Sequence, residues 1–483
     1  MIRIATLLLC WLLPIAGARA GLPDDATIAA ELRRYVEDAK QAPVVVVGVL
    51  EGERRRIVAH GFDDAAPVAP GDRVFEIGSI SKVYTALLLS RMVAAGEVTE
   101  DQRIDTLFPP AHPLRGRVGE ITLGELATHA SGLPRLPADP GPLLRAAFGR
   151  DPYAGSTPDE IFRSVAALEP ADLGPKGTFA YSNLGVALLG QLLARRLDTD
   201  YERALRRRVF EPLGLEPLPL APLATDDRRH VQGHRANFRP APSWRLDAYA
   251  PAGGLQASAN QLLDFAATQL GEPADWVRDA QRPRVDLDAA KGRRAALGWA
   301  VSRIGTREVW WHNGGTGGFR THLALVPSES LALVVLTNAV GDADALVHRL
   351  IDPTKPPPSA QANGALSVFV TLGGLLLATI LPLAVTAQVH AHATGQRKRA
   401  PDRLDVLGAG LSMGVLLQLL ERMGDFSRVP WATWWVALLA CAAGVLHLAR
   451  LARRWPWRAD RGWRSGLRIL GLSFTAVVLA MLL

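Results

Sequence analysis

Phe75-Glu76-Ile77-Gly78-Ser79-Ile80-Ser81-Lys82-Val83-Tyr84-Thr85-Ala86-Leu87-Leu88-Leu89 is the stretch from which the rest of the chain is read. The run after Lys82 is apolar and free of Gly and Pro, which predicts a helix opening near Ser79. Residues three apart on a helix share a face, so Ser79 and Lys82 can meet, and the positive end of the helix dipole lies near any oxyanion formed on the serine. A capped, solvated helix start has the same spelling, and lysine usage separates the two readings. Only six lysines, at positions 40, 82, 176, 291, 355 and 398, occur among 54 basic residues. In so arginine-biased a chain, Lys82 marks a place that arginine cannot fill, because a desolvated lysine can lose its proton and act as a base.

Two further segments supply partners. Ala180-Tyr181-Ser182-Asn183 enters a second apolar helix. A tyrosine beside a lysine can move a serine proton, and an asparagine can bind a substrate amide through both donor and acceptor. Taken alone, the pair is equally a buried tyrosine and a helix cap. Trp311-His312-Asn313-Gly314-Gly315-Thr316-Gly317-Gly318 reads as a strand running into glycines, where backbone can approach a substrate closely and an amide can serve an oxyanion. It lacks the lysine-serine end of a phosphate cradle.

Working outward, Val44 to Leu50 and Arg56 to Gly61 predict two strands about a turn at Glu51-Gly52-Glu53, and Thr321 to Val326 with Leu331 to Thr337 predict two more about Pro327 to Ser330. Hairpins at both ends predict an antiparallel sheet closed by early and late strands. Lys82 to Ala95, Ser182 to Leu197 and Asn260 to Leu270 predict a helical middle, with turn-rich loops at Ser131 to Pro142 and Pro217 to Pro222.

In the order Ser-x-x-Lys, Tyr-x-Asn and His-x-Gly, these elements resemble class C β-lactamases and their relatives among D-alanyl-D-alanine carboxypeptidases, D-aminopeptidases and carboxylesterases. Ile121 to Pro134, Pro251-Ala252-Gly253-Gly254-Leu255 and Leu297-Gly298-Trp299 add to the likeness, which runs from about Ala26 to Val347. The resemblance implies an α+β, β-lactamase/transpeptidase-like domain: an antiparallel sheet flanked by helices, with a mainly helical second lobe. It implies an acyl-enzyme on Ser79, with Lys82 and Tyr181 sharing the proton traffic. Asn183, His312, Gly314 and Gly315 would bind substrate, and the amides of Ser79 and Gly315 would form the oxyanion hole. Class C β-lactamases carry Lys-Thr-Gly where this chain has His312-Asn313-Gly314. A partly charged histidine holds a carboxylate less firmly than lysine, which moves the expectation from penicillins towards D-amino-acid peptides, cell-wall fragments and small esters.

His129, in the Ile121 to Pro134 segment, is expected to be a structural hydrogen-bonding residue rather than a base. His390 and His392 lie in a basic loop, and no His-Glu-x-x-His pattern occurs, so neither a metal nor another cofactor is implied.

The ends carry different signals. Residues 1–20 hold Arg3, an apolar run and Ala18-Arg19-Ala20, the pattern of a cleaved export signal. Cys441 is then the single remaining cysteine, which excludes a disulfide within the chain. The hydrolase domain is placed at residues 21–350 and a Pro-rich linker at 351–365, spanning Asp352 to Ser359. The region 366–483 is expected to be all-α and transmembrane, with about four helices at Leu366 to Val389, Leu404 to Leu420, Trp431 to Leu448 and Ile469 to Leu483.

A sequence pI of about 9.7 invites a nucleic-acid reading until the charges are located. From His390 to Arg468 there are 13 Lys+Arg and 5 Asp+Glu, leaving 41 against 42 elsewhere. Excess positive charge confined to loops between apolar segments is a membrane pattern, and it excludes nucleic acid as a partner. The expectation is a multi-pass protein of the bacterial cytoplasmic (inner) membrane with its catalytic domain on the periplasmic side, the bilayer and a small-molecule or peptide substrate being its partners. The alternative is a membrane sensor slowly acylated by β-lactam or muropeptide ligands.

Overall fold

A computed structural model of the chain describes residues 21–63, 67–137, 151–222 and 227–358, isolated positions at 141–142 and 145, and scattered tail positions between 371 and 476 that include two helices. The expected export signal, 1–20, lies outside the described residues.

An eight-stranded, wholly antiparallel sheet organises residues 45–337. Its strands are β1 (Val45–Glu51), β2 (Arg54–His60), β5 (Val285–Asp288), β6 (Arg293–Ala295), β7 (Ala300–Ile304), β8 (Arg307–Gly315), β9 (Arg320–Val326) and β10 (Leu331–Thr337), in the order β2-β1-β10-β9-β8-β7-β6-β5. Two short strands, β3 (Phe75–Glu76) and β4 (Gln256–Ala257), pair separately. The first and last strands are neighbours, Val45 lying opposite Thr337 and Glu51 opposite Leu331. The sheet is thus closed by early and late strands, as the hairpin patterns predict.

Alternation along β1 explains why both of its faces are apolar. Val45, Val47 and Val49 join Ile28 and Leu32 of the Asp25–Arg33 helix and Leu346 and Leu350 of the Ala343–Ile351 helix in one buried cluster. Val46 and Leu50 turn to the other face and join Leu262 and Leu263 of the Ala259–Gln269 helix in a larger one. A strand covered on both faces reads as an unbroken run of β-branched residues.

That larger cluster extends into the helical lobe, which includes the helices Ser81–Ala94, Leu123–Ala127, Pro158–Ala166 and Asn183–Arg196. Residues 81–90 are all buried, so the helix following Ser79 lies in the centre of the domain. It is tied sideways to residues 251–255: Ser81 Oγ accepts from the Leu255 amide at 3.0 Å, and Thr85 Oγ1 donates to Pro251 O at 2.7 Å.

Two tail helices, Arg403–Met423 and Ala432–Leu451, stand over two of the expected membrane spans. Among the described residues, however, no helix is long and apolar enough to cross a membrane, which corrects that expectation for these two. Arg403 and Asp405 open the first helix and Glu421 and Arg422 close it. The uncharged interior is about 15 residues, roughly 22 Å at 1.5 Å per residue, against a hydrocarbon core of about 30 Å. In the second helix His447 and Arg450 cut the apolar run to a similar length. Leu366 to Val389 and Ile469 to Leu483 lie for the most part outside the described residues.

Candidate active site

Ser79 sits in a single 3-10 turn, Gly78–Ile80, that leads into the Ser81–Ala94 helix. Gly78 has φ +52°, and a Cβ there would meet the Gly315 amide nitrogen at 2.5 Å. A Cβ on Gly314 would meet Ile77 O at 1.9 Å and Thr321 Oγ1 at 2.2 Å. Two glycines therefore let the end of β8 lie directly against the turn that carries Ser79. The sequence reading expected the glycines after His312 to admit a substrate; at Gly314 the neighbour they admit is the backbone of Ile77.

Around Ser79 Oγ the three expected catalytic groups converge. Lys82 Nζ lies 2.9 Å away, and the Tyr181 hydroxyl donates to Ser79 Oγ at 2.7 Å. Lys82 also donates to Ala252 O at 2.5 Å, which explains the chemistry of the Pro251 to Leu255 segment: its backbone orients the amine. Lys82 is 1 % exposed, and burial, helped by the Arg135 charge, pushes its pKa well below the ordinary 10.5. Burial also raises the Tyr181 phenol, partly offset by its bond to Ser79 and by Arg135. Desolvation thus disfavours the charged forms of an amine and a phenol that meet on the same hydroxyl. A lysine that gives up its proton has a lone pair for the serine proton.

Asn183 is the first residue of its helix, capped by Ser182, whose Oγ accepts from the Gly185 amide at 2.9 Å and donates to Pro134 O at 2.7 Å. The Asn183 carboxamide is buried, with Nδ2 on the Tyr153 hydroxyl at 2.6 Å and Oδ1 without a partner among the described residues. One end of the amide is held and the other is left for a guest. His129 is the structural residue expected of it: Nδ1 accepts the Ser182 amide at 3.1 Å, its carbonyl accepts the Ala180 amide at 2.7 Å, and its ring lies against Tyr181.

His312 departs from expectation. It does not line the cavity at Ser79, and its Nδ1 lies 2.7 Å from Asn313 O. Burial first, then the Lys82 charge, push its pKa down to about 3, so even the partial charge anticipated for it is absent near neutrality. Asn313 turns its side chain away from the site, donating to Asp344 Oδ2 at 2.7 Å, while Asp344 Oδ1 lies 2.6 Å from His322 Nδ1. This pairing fastens β8 and β9 to the start of the Ala343–Ile351 helix.

The cavity beside Ser79 has a volume of about 480 Å³. Its walls include Arg135, Tyr153, Trp244 and Arg320, none of which the motifs singled out, and among the described residues no carboxylate lines it. Arg135 stacks its guanidinium 5.0 Å from the centre of the Tyr181 ring. Arg320 Nη1 is fixed by Thr316 O and Phe319 O, each at 2.8 Å, and a Cβ on Gly315 would lie 3.0 Å from that nitrogen. A lone arginine following a glycine run was the available signal for Arg320. The other three come from loops whose paths no local pattern encodes. Glu76, three residues before Ser79, is 3 % exposed, accepts the Trp244 amide at 3.2 Å, and is raised by burial to about 7. Among the described residues no group of His, Cys, Asp and Glu is arranged to hold a metal.

Comparison with known proteins gives the family and the fold. A family model described as Beta-lactamase matches residues 32–353. Penicillin-binding protein 4 of Amycolatopsis lactamdurans is 27% identical over 289 residues, covering 55% of this chain and 72% of its own. The D-alanyl-D-alanine-carboxypeptidase/endopeptidase AmpH of Escherichia coli (strain K12) is 28% identical over 312 residues, 60% of this chain and 78% of its own. The crystal structure of a D-stereospecific amidohydrolase from Streptomyces sp. superimposes with a TM-score of 0.57 at 23% identity, over 68% of this chain and 99% of the other. That likeness gives the fold, a β-lactamase/transpeptidase-like sheet with flanking helices.

Proposed function

The chain belongs to the Beta-lactamase family of serine hydrolases, and from that premise we propose that it forms an acyl-enzyme on Ser79 and acts on D-amino-acid peptides, cell-wall fragments or small esters. The observation carrying this reading is the meeting of Lys82 Nζ and the Tyr181 hydroxyl on Ser79 Oγ at 2.9 and 2.7 Å, with the lysine stripped of solvent. Lys82 takes the serine proton as Oγ attacks the acyl carbon. The amides of Ser79 and Gly315 stabilise the oxyanion, and Tyr181 passes its proton to the departing atom, leaving a phenolate beside the new ammonium. Water then enters, gives a proton to the phenolate and releases the acid, and Ser79 recovers its proton from Lys82.

Asn183, with one end of its amide unpartnered, holds the substrate amide on the acyl side. Arg135 and Arg320, in a cavity that no carboxylate lines among the described residues, hold a substrate carboxylate in place of the neutral His312. D-Amino-acid peptides end in such a group, which supports them within the proposed class. The expected place of work is the outer side of the cytoplasmic membrane. The export pattern at 1–20 and the apolar stretch Leu366 to Val389 support it.

The test is the intact mass of the protein, wild type and Ser79→Ala, followed in time after adding a penicillin and then a D-alanyl-D-alanine peptide. A serine-dependent adduct that turns over with peptide release is expected. Undiminished peptide turnover by Ser79→Ala would sink the proposal, and a stable adduct with no turnover would replace it with the sensor.

A further inference from the structure

Behind Tyr181 lies a second cavity, of about 320 Å³, at the small end of the ~300–1,000 Å³ range of ligand pockets. Phe179, Leu287, Trp299, Ala300 and Trp311 contribute its apolar walls. It shares Tyr181 and Asn313 with the cavity at Ser79, so the two chambers meet at the residue bonded to the nucleophile. The two histidines in its walls, His129 and His312, are buried, and desolvation disfavours their charged forms; the charge in its walls is that of Arg293, whose guanidinium lies 5.6 Å from the centre of the Trp311 ring. Trp299 is 2 % exposed, and its indole N–H has no partner among the described residues, leaving one donor for an acceptor on a guest.

The side of the reaction this chamber serves follows from Tyr181. In the proposed chemistry the departing atom must come to the Tyr181 hydroxyl to collect its proton, whereas the acyl side is held by Asn183 and Tyr153. A chamber that shares Tyr181 with the cavity at Ser79, and shares neither Asn183 nor Tyr153, therefore lies on the leaving-group side. We propose that, for ester substrates, this chamber binds the apolar body of the leaving alcohol, so that the preferred esters release an alcohol carrying an alkyl or aryl group of several carbons, whereas a leaving amino acid with a carboxylate stays with Arg135 and Arg320 in the cavity at Ser79. The inference rests on the acyl-enzyme reading. For an ester, the Ser79 Oγ to acyl carbon bond forms, the carbon to alkoxy oxygen bond breaks, Lys82 takes the serine proton and Tyr181 protonates the alkoxy oxygen, and the alcohol departs through the apolar chamber.

Ethyl, butyl and hexyl acetate have leaving groups of nearly equal basicity and give the same acetyl-enzyme, so differences in kcat/KM report the leaving-group side alone. With the full chain, kcat/KM is expected to rise at least tenfold from ethyl to hexyl. Ala300 lies on β7 opposite Trp311 and lines this chamber but not the cavity at Ser79. Ala300→Phe should fill the chamber and flatten the series while keeping ethyl acetate within threefold of wild type; Ala300→Leu, the gentler change, should give an intermediate slope if the larger residue is not tolerated. A flat wild-type series overturns the inference, as does a slope that survives both substitutions. Acetylation of Ser79 by p-nitrophenyl acetate with no turnover of any alkyl ester also overturns it and leaves the serine hydrolase standing. Failure of the aryl ester to acetylate Ser79 removes the acyl-enzyme reading itself.

Discussion

An amine at 1 % exposure, with a backbone carbonyl and a hydroxyl as its contacts, sheds its proton far more readily than one in water. The kcat/KM profile should therefore show an acidic limb, falling as pH drops through the lowered Lys82 pKa, at a position well below the ordinary 10.5. Lys82→Arg, always charged, should lose on the order of 10³-fold in kcat with the fold intact, read by steady-state kinetics and circular dichroism. Glu76 gives a prediction of the opposite kind, about stability. Its carboxyl is raised from 4.5 to about 7 by burial, so between those values the folded chain keeps a proton that the unfolded chain has lost. Stability contributed by this group is full below 4.5 and falls as pH rises towards 7, by about 3 kcal/mol at most. Glu76→Gln should erase that loss, so its melting temperature should exceed wild type at pH 8 and converge with it at pH 4.5.

At the scale of elements, the junction between β8 and the Ser79 turn admits no side chain. Gly314→Ala places a carbon 1.9 Å from Ile77 O, and the strand or the turn must move. A loss of about 2–4 kcal/mol in urea denaturation is expected, with kcat falling more than KM rises because the oxyanion amide shifts from its place. The sequence displayed this element well, since Trp311 to Gly318 is a strand ending in glycines. It displayed β1 and β10 equally well, because two-faced burial writes them as runs of Val and Leu. It hid β5, β6 and β7, the three strands towards the β5 edge of the sheet, which are short, partly exposed and charged, and carry no apolar alternation to find. Ser79, Lys82, Tyr181 and Asn183 were legible because helix starts fix their spacing. Arg135, Tyr153 and Trp244 were not, because their meeting depends on long loops.

For the whole molecule, burial separates the tail from the rest. The cluster formed by Leu375, Met413, Leu417, Leu420, Val429, Trp434, Ala437 and Cys441 contains no residue of the first 351, and the two clusters flanking the sheet contain none of the tail. A protein cut to residues 21–358 should accordingly fold, melt within a few degrees of the full chain and retain its kcat/KM within about twofold, as differential scanning fluorimetry and kinetics would show.

The bond from the Val44 amide to Asn338 Oδ1 closes the sheet across 294 positions. On a ribosome, β1 must wait beside no partner on that flank until almost the entire domain has been synthesised, and loop closure over such a distance is slow. A nascent chain that cannot complete its central sheet early stays threadable, and a translocation channel accepts threads rather than finished folds. The same late closure leaves the valine-rich strand open to strangers in the meantime, so overproduction should favour inclusion bodies unless synthesis is slowed or a chaperone shields β1 until β10 arrives.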